Sequence, residues 1–388
     1  MGAQQANSIK DLKAAARRRL PRMIFDYIEG GAEDERCIER NIEAWADLTI
    51  VPRYLRDVSQ IDQSVTLFGK TYASAFGIAP MGMTAISRPD ADLLLAEAAR
   101  EANIPFVLSG AGNSSIEKIA RIAPDAWYQL YAPRDAAIRR DLIQRCADAG
   151  LSTLIVTVDI PIYSKRERDI RNGWRRPYKP TLAAKIEALR HPAWLFDYLR
   201  TGIPYLENWQ RYARAGAGPI EVSNTYGDQS FGVQSWDLIR EIRDQWRGPL
   251  VIKGILHPDD AVLAAEAGAN GVIVSNHGGR QFDRAPTPAA MFPAVHAAVG
   301  KRIPVMIDSG IMRGSDIVTA MCMGAAFTFV GRAALYAVAA YGKAGVDRAI
   351  AILRQEVHLA LATMGCPDIK DAGPGYLGGS GMAPFIAR

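Results

Sequence analysis

Short apolar runs alternate with amphipathic segments along most of this chain. The amphipathic segments, such as ADLLLAEAAREA and SDIVTAMCMGAA, are rich in alanine and predict helices. Runs that are apolar on both faces are typical of strands in a parallel sheet that is covered on both sides. Eight runs have this character: FGIAP (76–80), PFVLS (105–109), WYQLY (127–131), TLIVTVD (153–159), PLVIK (249–253), GVIVS (271–275), PVMID (304–308) and FTFVG (327–331).

The number and spacing of these runs predict an α/β fold of the (β/α)8 TIM-barrel type. Most intervals between successive run ends fit one strand plus one helix, but the interval between Asp159 and Lys253 is far longer. We therefore expect a long insertion after the fourth strand, at about 170–235. An open nucleotide-binding sheet is the rival fold, but no GxGxxG motif follows an early strand.

The ends of the chain complete this predicted organisation. Residues 8–45 have the pattern of helices, with a break at Gly30–Gly31. The prediction is a single domain over residues 1–388, with N-terminal helices and a barrel at about 70–365.

The insertion has a composition of its own. It is rich in arginine, proline and aromatic residues, as in RNGWRRPYKP and HPAWLFDYLRTGIPYLENW. A long loop on the catalytic face of a barrel commonly forms a lid or an oligomer contact. A basic segment with aromatic side chains also suits a membrane surface. The pattern leaves both interpretations open.

Composition narrows the class of protein. Hydrophobic residues make up 49% and charged residues 22%, which excludes a disordered chain. The net charge of +5 suits an anionic substrate, a phosphate-bearing cofactor or an acidic membrane surface, and no basic run predicts a nucleic-acid partner. The four cysteines lie far apart, so we expect free thiols and no metal site. The N-terminus is polar and no apolar run reaches about 18 residues, which predicts a cytoplasmic protein.

The predicted strands end in polar residues. In a TIM barrel such residues meet at one rim, where the active site lies, and their burial requires polar partners. This pattern favours an enzyme site over simple packing. The residues concerned are Ser109, Gln129, Tyr131, Thr157, Asp159, Lys253, Ser275, His277, Asp308, Gly331 and Arg332.

The stretch SNHGGR at 275–280 predicts a specific chemistry. A histidine just past a strand can serve as a base near neutral pH, and an arginine nearby can bind a carboxylate through two hydrogen bonds. The glycines between them allow a sharp turn and the close approach of a flat ligand. We therefore expect an acid substrate that is held by Arg280 while His277 removes a proton.

Two further turns combine glycine with arginine. DSGIMRGSD (308–316) and FVGRAALY (329–336) follow the last two predicted strands. Loops at these places in TIM barrels commonly bind a phosphate. A phosphorylated cofactor or substrate is therefore expected.

With these motifs, the sequence closely resembles the family of FMN-dependent L-2-hydroxy-acid oxidases and dehydrogenases, which includes glycolate oxidase, flavin-linked lactate dehydrogenase and mandelate dehydrogenase. The resemblance runs from LPRMIFDYIEGGAED (20–34) to GCPDI (365–369), and SNHGGRQ (275–281) with TVD…RERD (157–169) carries it most specifically. It implies an FMN cofactor, a homotetramer and the oxidation of an L-2-hydroxy acid to a 2-oxo acid.

The resemblance also implies roles for individual residues. His277 corresponds to the catalytic base, and Asp159 pairs with its imidazolium. Arg166 and Arg280 correspond to the two arginines that hold the substrate carboxylate. The remaining catalytic positions are the hydroxyls of Tyr27 and Tyr131, which contact the substrate, and Lys253, beside the pyrimidine part of the flavin.

The cofactor positions follow in the same way. The flavin ring and ribityl chain correspond to Ala79, Pro80, Ser109, Gln129, Thr157, Lys253 and Ser275. The ribityl and phosphate end corresponds to Asp308, Ser309, Gly310, Arg313, Gly331 and Arg332.

Two departures from the family pattern concern the substrate. Ala111 stands where glycolate oxidases have tryptophan, and Gly82 stands where alanine is usual; the chain resembles mandelate dehydrogenase at both positions. Small residues there predict a bulky or aromatic substrate, or else lactate, and Tyr163 is expected to refill part of the space.

A third departure concerns the phosphate. Met312 replaces an arginine that is usual in the family, and the arginine of this chain is Arg313. Either Arg313 turns inward or Arg332 carries more of the phosphate charge.

Three alternatives accompany this interpretation. Lys253 could form a Schiff base in a different kind of barrel enzyme, or the chain could bind a flavin without catalysis. Within the resembling family, electrons could pass to a quinone or another respiratory carrier, or to oxygen with release of hydrogen peroxide. The insertion and the small pocket residues favour a dehydrogenase, with peripheral contact at the inner face of the cell membrane.

Overall fold

A computed structural model gives the architecture and describes residues 2–173, 181–230, 232 and 234–378. Its centre is a sheet of eight parallel strands, and neighbouring strands along the chain pair with one another. The first and last strands also pair, and an isolated bridge from Ile78 to Phe106 closes the sheet into a barrel. The strands are β1 (Phe76–Ile78), β2 (Val107–Ser109), β3 (Trp127–Leu130), β4 (Thr153–Thr157), β5 (Leu250–Ile255), β6 (Gly271–Val274), β7 (Val305–Ile307) and β8 (Thr328–Val330).

The predicted TIM barrel is therefore confirmed, and its strands are buried along almost their whole length. Most strands are shorter than the apolar runs that predict them. In TLIVTVD, for example, β4 ends at Thr157, and Asp159 already lies in the following loop. The last residues of such runs leave the sheet because they turn into the loops of the active-site face.

The helices alternate with the strands, and several begin with a side-chain cap. Asp135 accepts hydrogen bonds from the backbone N–H groups of Ala137 and Ile138, at 2.7 and 3.4 Å, and thereby satisfies groups that a helix leaves unpaired. The helices that follow barrel strands are α4 (Ala91–Glu101), α5 (Ile116–Ile122), α6 (Ala136–Asp148), α11 (Trp236–Gln245), α12 (Pro258–Glu266), α13 (Pro288–Val299), α14 (Gly314–Cys322), α15 (Arg332–Tyr341) and α16 (Lys343–Met364).

Three helices precede the barrel, as expected for residues 8–45. They are α1 (Ile9–Arg19), α2 (Arg22–Glu29) and α3 (Arg36–Ala46), and the predicted break at Gly30–Gly31 separates the last two. A further break at Leu20 and Pro21 follows α1, because proline cannot donate the hydrogen bond that would continue a helix. Of these helices, α3 lies against the loops after β6 and β7, whereas α1 packs on α15.

The insertion follows β4 and contains four helices: α7 (Glu167–Arg171), α8 (Leu182–Ala188), α9 (Pro192–Thr201) and α10 (Pro219–Gln229). Part of RNGWRRPYKP, residues 174–180, lies outside the described residues. Three buried side chains tie the insertion to the loops after β1 and β2. Trp194 Nε1 donates to Ile86 O at 2.7 Å, Trp209 Nε1 donates to Gly110 O at 2.8 Å, and Asn208 Oδ1 accepts from Ile116 N at 3.0 Å.

Two short strand pairs lie outside the barrel sheet. Thr49–Ile50 pairs with Leu377–Gly378, and Val65–Leu67 pairs with Lys70–Tyr72. Aromatic contacts hold the second pair at the amino-terminal end of the barrel, where Phe68 packs on Trp127 with ring centroids 5.8 Å apart. That end is filled, and the opposite, carboxyl end holds the cavity.

Candidate active site

One large cavity, of about 940 Å³, lies at the carboxyl ends of the strands. This volume is near the upper end of what small-molecule sites usually offer, about 300–1,000 Å³. The predicted site residues that line it are Tyr27, Ala79, Pro80, Gly82, Ala111, Tyr131, Arg166, Lys253, His277, Arg280, Asp308, Ser309, Gly310, Gly331 and Arg332. The predicted residues that do not line it are Ser109, Gln129, Thr157, Asp159, Ser275 and Arg313.

A left-handed turn aims His277 at the cavity. His277, Gly278 and Gly279 have φ angles of 58°, 65° and 75°, which glycine adopts without strain and other residues seldom adopt. A side chain at position 279 would also lie 2.9 Å from the backbone N of Ile38 in α3. The two glycines thus let the chain turn directly after β6 and let α3 pack against the turn.

His277 forms a buried pair with Asp159. Its Nδ1 lies 2.9 Å from Asp159 Oδ1, which leaves Nε2 as the nitrogen that can exchange a proton. Burial lowers the pKa of His277 below its usual value, although the carboxylate of Asp159 opposes this. The imidazole is therefore neutral at neutral pH and can accept a proton.

The carboxyl of Asp159 stays ionised in this pair. Burial raises its pKa, but the charge and hydrogen bond of His277, together with the charge of Lys253, lower it more strongly, and the net pKa lies below its usual value. A negative charge beside the ring stabilises the imidazolium that forms when His277 takes up a proton.

Two guanidinium groups lie close to this pair. Arg166 donates through Nη2 to Gln281 Oε1 at 3.1 Å and through Nε to Ser164 Oγ at 3.1 Å. Arg280 donates through Nη1 to the carbonyls of Tyr27 and Gly30, at 2.9 and 2.7 Å. These bonds use only some of their N–H groups, so each guanidinium keeps donors that can bind a carboxylate.

Two tyrosines complete this part of the cavity. Tyr27 Oη donates to Gly82 O at 3.3 Å, and the Tyr27 ring lies under the guanidinium of Arg280 at 5.1 Å. Burial raises the pKa of Tyr131 well above its usual range, and its ring packs on Tyr226 at 6.4 Å. Tyr131 therefore keeps its proton and can donate a hydrogen bond to a ligand.

Lys253 links the ends of three strands. Its Nζ donates to Ser275 Oγ at 2.9 Å and forms an ion pair with Asp308 Oδ2 at 3.1 Å. Burial lowers the pKa of this lysine, but the carboxylates of Asp308 and Asp159 outweigh burial and leave the pKa above its usual value. A positive charge is therefore favoured at the floor of the cavity, and an amine whose pKa is raised is a poor Schiff-base nucleophile.

The remaining strand-end residues are buried, and Thr157 lies opposite Lys253 on the neighbouring strand. Ser109 Oγ donates to Gln129 Oε1 at 3.0 Å, which fixes the orientation of the Gln129 amide. Gln129 Nε2 and Thr157 Oγ1 are buried and have no hydrogen-bond partner among the described residues. Such atoms are costly to bury alone, so they indicate where a polar ligand edge would bind.

The loops after β7 and β8 lie at the other end of the cavity. Arg332 donates to Gly278 O at 2.8 Å, to Ile28 O at 3.1 Å and to Gly30 O at 3.0 Å, so its position is fixed by backbone. Arg313 instead donates through Nη1 to Glu356 Oε1 at 2.6 Å and is 42% exposed. The structure does not bring Arg313 to the cavity, whereas Met312 lines it.

The two small residues of the substrate side lie next to each other in the cavity wall. A methyl group added at Gly82 would lie 2.8 Å from Cβ of Ala111, which is closer than real contacts allow. Tyr163 lines the same cavity but is 57% exposed. The space that Gly82 and Ala111 leave can accept a substrate with a large side chain.

Sequence reasoning missed several residues that hold the site together. Gln281 was visible in SNHGGRQ, but its bond to Arg166 joins the segments after β4 and β6. Asn276 and Asn41 exchange two hydrogen bonds, of 2.9 and 2.7 Å, between the His277 turn and α3. No local pattern predicts partners so far apart in the chain.

Within the described ranges, no group of three histidine, cysteine or acidic residues could hold a metal ion. In the same part of the chain, no helix combines the length and apolar character that crossing a membrane requires.

Comparison with known proteins agrees with this geometry. Residues 16–378 match the family model described as FMN-dependent dehydrogenase. The chain is 37% identical to the (S)-mandelate dehydrogenase of Pseudomonas putida over 98% of this chain and 96% of that protein. It is 40% identical to the L-lactate dehydrogenase of Caulobacter vibrioides (strain NA1000 / CB15N) over 94% of this chain and 95% of that protein.

A solved structure is also similar over nearly the whole chain. The structure described as the monotopic membrane protein (S)-mandelate dehydrogenase superposes with a TM-score of 0.93 at 37% identity. The match covers 97% of this chain and 100% of the other.

Proposed function

Since this chain belongs to the FMN-dependent dehydrogenase family, we propose that it oxidises an L-2-hydroxy acid to the corresponding 2-oxo acid. The observation that carries the proposal is the buried His277–Asp159 pair, which shares one cavity with the guanidinium groups of Arg166 and Arg280. A base beside two carboxylate-binding groups suits a substrate that has its reacting hydrogen next to a carboxylate.

The cavity fits the cofactor of the family. The unpaired Gln129 Nε2 and Thr157 Oγ1 suit the polar edge of a flavin ring, and the charge of Lys253 would stabilise negative charge on that ring. Ala79 and Pro80 would line the ring, and Asp308, Ser309, Gly310, Gly331 and Arg332 would hold the ribityl and phosphate groups. When bound, FMN supplies the two-electron oxidation.

The side chains of this protein would orient the substrate and move one proton. Arg166, Arg280 and the hydroxyls of Tyr27 and Tyr131 would hold the carboxylate and the 2-hydroxyl group in one geometry, which lowers the entropic cost of reaching the transition state. His277 Nε2 would accept the proton that the substrate loses. Asp159 would stabilise the resulting imidazolium.

The test is anaerobic mixing of the yellow, FMN-loaded protein with a graded series of L-2-hydroxy acids and their D-enantiomers. We expect bleaching of the flavin absorbance by L-acids only, and fastest by acids with large or aromatic side chains, because Gly82 and Ala111 leave room for them. No bleaching with any acid of the series would contradict the proposal.

We also propose that the insertion places the protein at the inner face of the cell membrane. Apolar side chains on α8, on α9 and between them project into solvent: Leu182 and Leu199 are 73% exposed, Phe196 67% and Leu189 66%. Such a cluster on one segment is unusual on a free surface and suits an interfacial helix. The related protein described as a monotopic membrane protein supports this placement.

A membrane location favours a lipid-soluble electron acceptor, so we propose a quinone; oxygen is the alternative. Parallel measurements of quinone reduction and of oxygen consumption with the same acid would separate the two. Rapid oxygen consumption with formation of hydrogen peroxide would favour an oxidase. The homotetramer stays a prediction, which light scattering in detergent would check.

A further inference from the structure

We infer that the outer part of the active-site cavity is a binding site for the quinone, and that the quinone enters it from the membrane side of the insertion. This inference rests on the proposed function, because it assigns the acceptor of that same reaction. We call this part the acceptor arm and define it by Ile86, Trp194, Leu195, Tyr198, Ile203 and Ile220, which all line the cavity.

The acceptor arm is continuous with the catalytic groups. The same cavity of about 940 Å³ is lined by Lys253 and His277 at one end and by side chains of α8, α9 and α10 at the other. The lining of the arm is mostly aliphatic and aromatic. A ligand with a flat ring and a long apolar tail matches such a passage better than a small, charged hydroxy acid does.

Two charged side chains that line the cavity near the arm, Arg88 and Asp197, already have partners. Arg88 donates through Nε to Val338 O at 2.8 Å and through Nη2 to Ala340 O at 3.0 Å. Asp197 pairs with Arg19. These two groups are engaged with the protein, so an apolar ligand in the arm would leave neither of them unpaired.

The arm reaches the surface at the proposed membrane face. Ile203, which belongs to the arm, is 37% exposed, and Lys185, which is exposed on α8, lines the same cavity. On α9, Leu195 and Tyr198 face the cavity, whereas Phe196 and Leu199 do not line it and project into solvent. One helix therefore presents one face to the arm and another to the proposed membrane.

The assignment gives a balanced reaction. The hydroxy acid loses two electrons and two protons when its C–O single bond becomes a carbonyl. The quinone takes up two electrons and two protons and becomes a quinol. Substrate and quinone would approach the reacting centre in turn, the acid bound by Arg166 and Arg280 and the quinone through the arm.

The experiment compares two pairs of substitutions in the FMN-loaded protein in detergent. Leu195→Gln with Ile203→Gln changes the arm, and Phe196→Gln with Leu199→Gln changes only the solvent face. The acceptors are decylubiquinone and the water-soluble dye dichlorophenolindophenol. We expect the arm pair to raise the KM for decylubiquinone by roughly tenfold, because apolar contacts become polar, while the KM for the acid and the rate with the dye stay within about twofold.

The solvent-face pair should leave the KM for the quinone unchanged and weaken binding to lipid vesicles. Equal effects of the two pairs on the quinone KM would overturn the assignment. A rise in the KM for the acid instead would show that the arm holds the substrate. If the arm pair does not fold, Ala188→Phe, which narrows the arm from α8, should raise the same quinone KM and leave the dye rate unchanged.

The outcomes also separate this inference from the proposed function. Anaerobic bleaching by an L-2-hydroxy acid needs no external acceptor. If bleaching occurs and the arm pair has no effect on the quinone KM, the arm assignment fails alone. If no acid bleaches the flavin, the proposed function fails with it.

Discussion

At the scale of single residues, the catalytic proposal depends on how neighbours set the charge of His277. Burial alone would make the imidazole a weak base, and Asp159 opposes burial by favouring the protonated form. The position of the ring comes from the left-handed backbone of the turn after β6. The pKa of His277 and the position of its ring therefore have separate causes, and each can be tested.

Asp159→Asn tests the charge. The substitution removes the group that raises the pKa of His277, so burial should lower this pKa further. His277 acts as a base and must be unprotonated, so the acid limb of the kcat/KM profile should move to lower pH. The plateau value of kcat/KM should fall on the order of a hundredfold, because the imidazolium of His277 loses the carboxylate that balances its charge.

The measurement is the pH dependence of kcat/KM by dye reduction. Asp135→Asn, which changes an exposed helix-capping carboxylate that does not line the cavity, is the control and should leave the profile unchanged. An acid limb that stays in place or moves to higher pH would contradict the role given to Asp159.

Met312→Arg tests the phosphate end. Arg313 is held by Glu356, so Arg332 is the guanidinium that the described residues bring to this end of the cavity. Adding an arginine at the cavity wall should tighten FMN binding about tenfold through charge-assisted hydrogen bonds. The dissociation constant follows from quenching of FMN fluorescence by the apoprotein.

Two further measurements sharpen this test. Met312→Leu keeps the volume without the charge and should bind FMN as the unchanged protein does. Riboflavin, which lacks the phosphate, should bind Met312→Arg no better than the unchanged protein. Equal tightening for FMN and riboflavin would show that the phosphate is not involved.

At the scale of elements, the site is formed by loops from several strands that contact one another. The loop after β1 carries Gly82, the loop after β2 carries Ala111, and Tyr27 of α2 reaches Gly82 from the N-terminal helices. The insertion holds the first two loops through Trp194 and Trp209. The shape of the substrate side therefore depends on four segments at once.

Gly82→Ala tests this contact between loops. The new methyl group would lie 2.8 Å from Cβ of Ala111, so the loops must separate or the cavity must narrow. We expect the ratio of kcat/KM for L-mandelate to that for L-lactate to fall about tenfold, the usual effect of one methyl group in a fitted pocket. Adding Ala111→Gly should restore much of the ratio, and an unchanged ratio in Gly82→Ala would contradict this account.

At the scale of the whole molecule, the surface combines a modest positive charge with a local apolar cluster. Under the proposed membrane placement, the net charge of +5 would provide weak attraction to an acidic membrane, whereas the exposed side chains of the insertion would provide a hydrophobic contact. Removing the whole insertion is a poor test of membrane binding, because Asn208 and Trp209 support the barrel loops. Point substitutions of exposed side chains on α9 avoid this damage.

Binding to vesicles that contain phosphatidylglycerol separates the two forces. Phe196→Ser with Leu199→Ser should weaken sedimentation with vesicles more than tenfold, since each large apolar side chain contributes roughly 1.5–3 kcal/mol when buried. Raising the salt from about 0.05 to 0.5 M should weaken binding less, because it screens only the charges. Leu359→Ser, at an exposed position on α16, is the control; a larger effect of salt than of the α9 substitutions would contradict a hydrophobic contact.

The sequence by itself determined the barrel and the residue types at its rim. Strand runs that are apolar on both faces are typical of a parallel sheet that helices cover, and polar residues at the ends of such runs meet at one rim in this fold. The structure confirms the predicted fold. The motif SNHGGRQ indicated the family to which the chain belongs. The extent of the single domain and the roles of the site residues stay predictions.

Only the tertiary structure decided which side chains meet. The pairing of Asn41 with Asn276 and the contact of Gly82 with Ala111 join segments whose separation in the chain leaves no local pattern. The direction of Arg313 depended on Glu356, a residue of α16 that no nearby motif indicates. Periodicity and motifs report the local preferences of a chain, whereas the partner of a long side chain and the reach of a cavity depend on how distant segments pack.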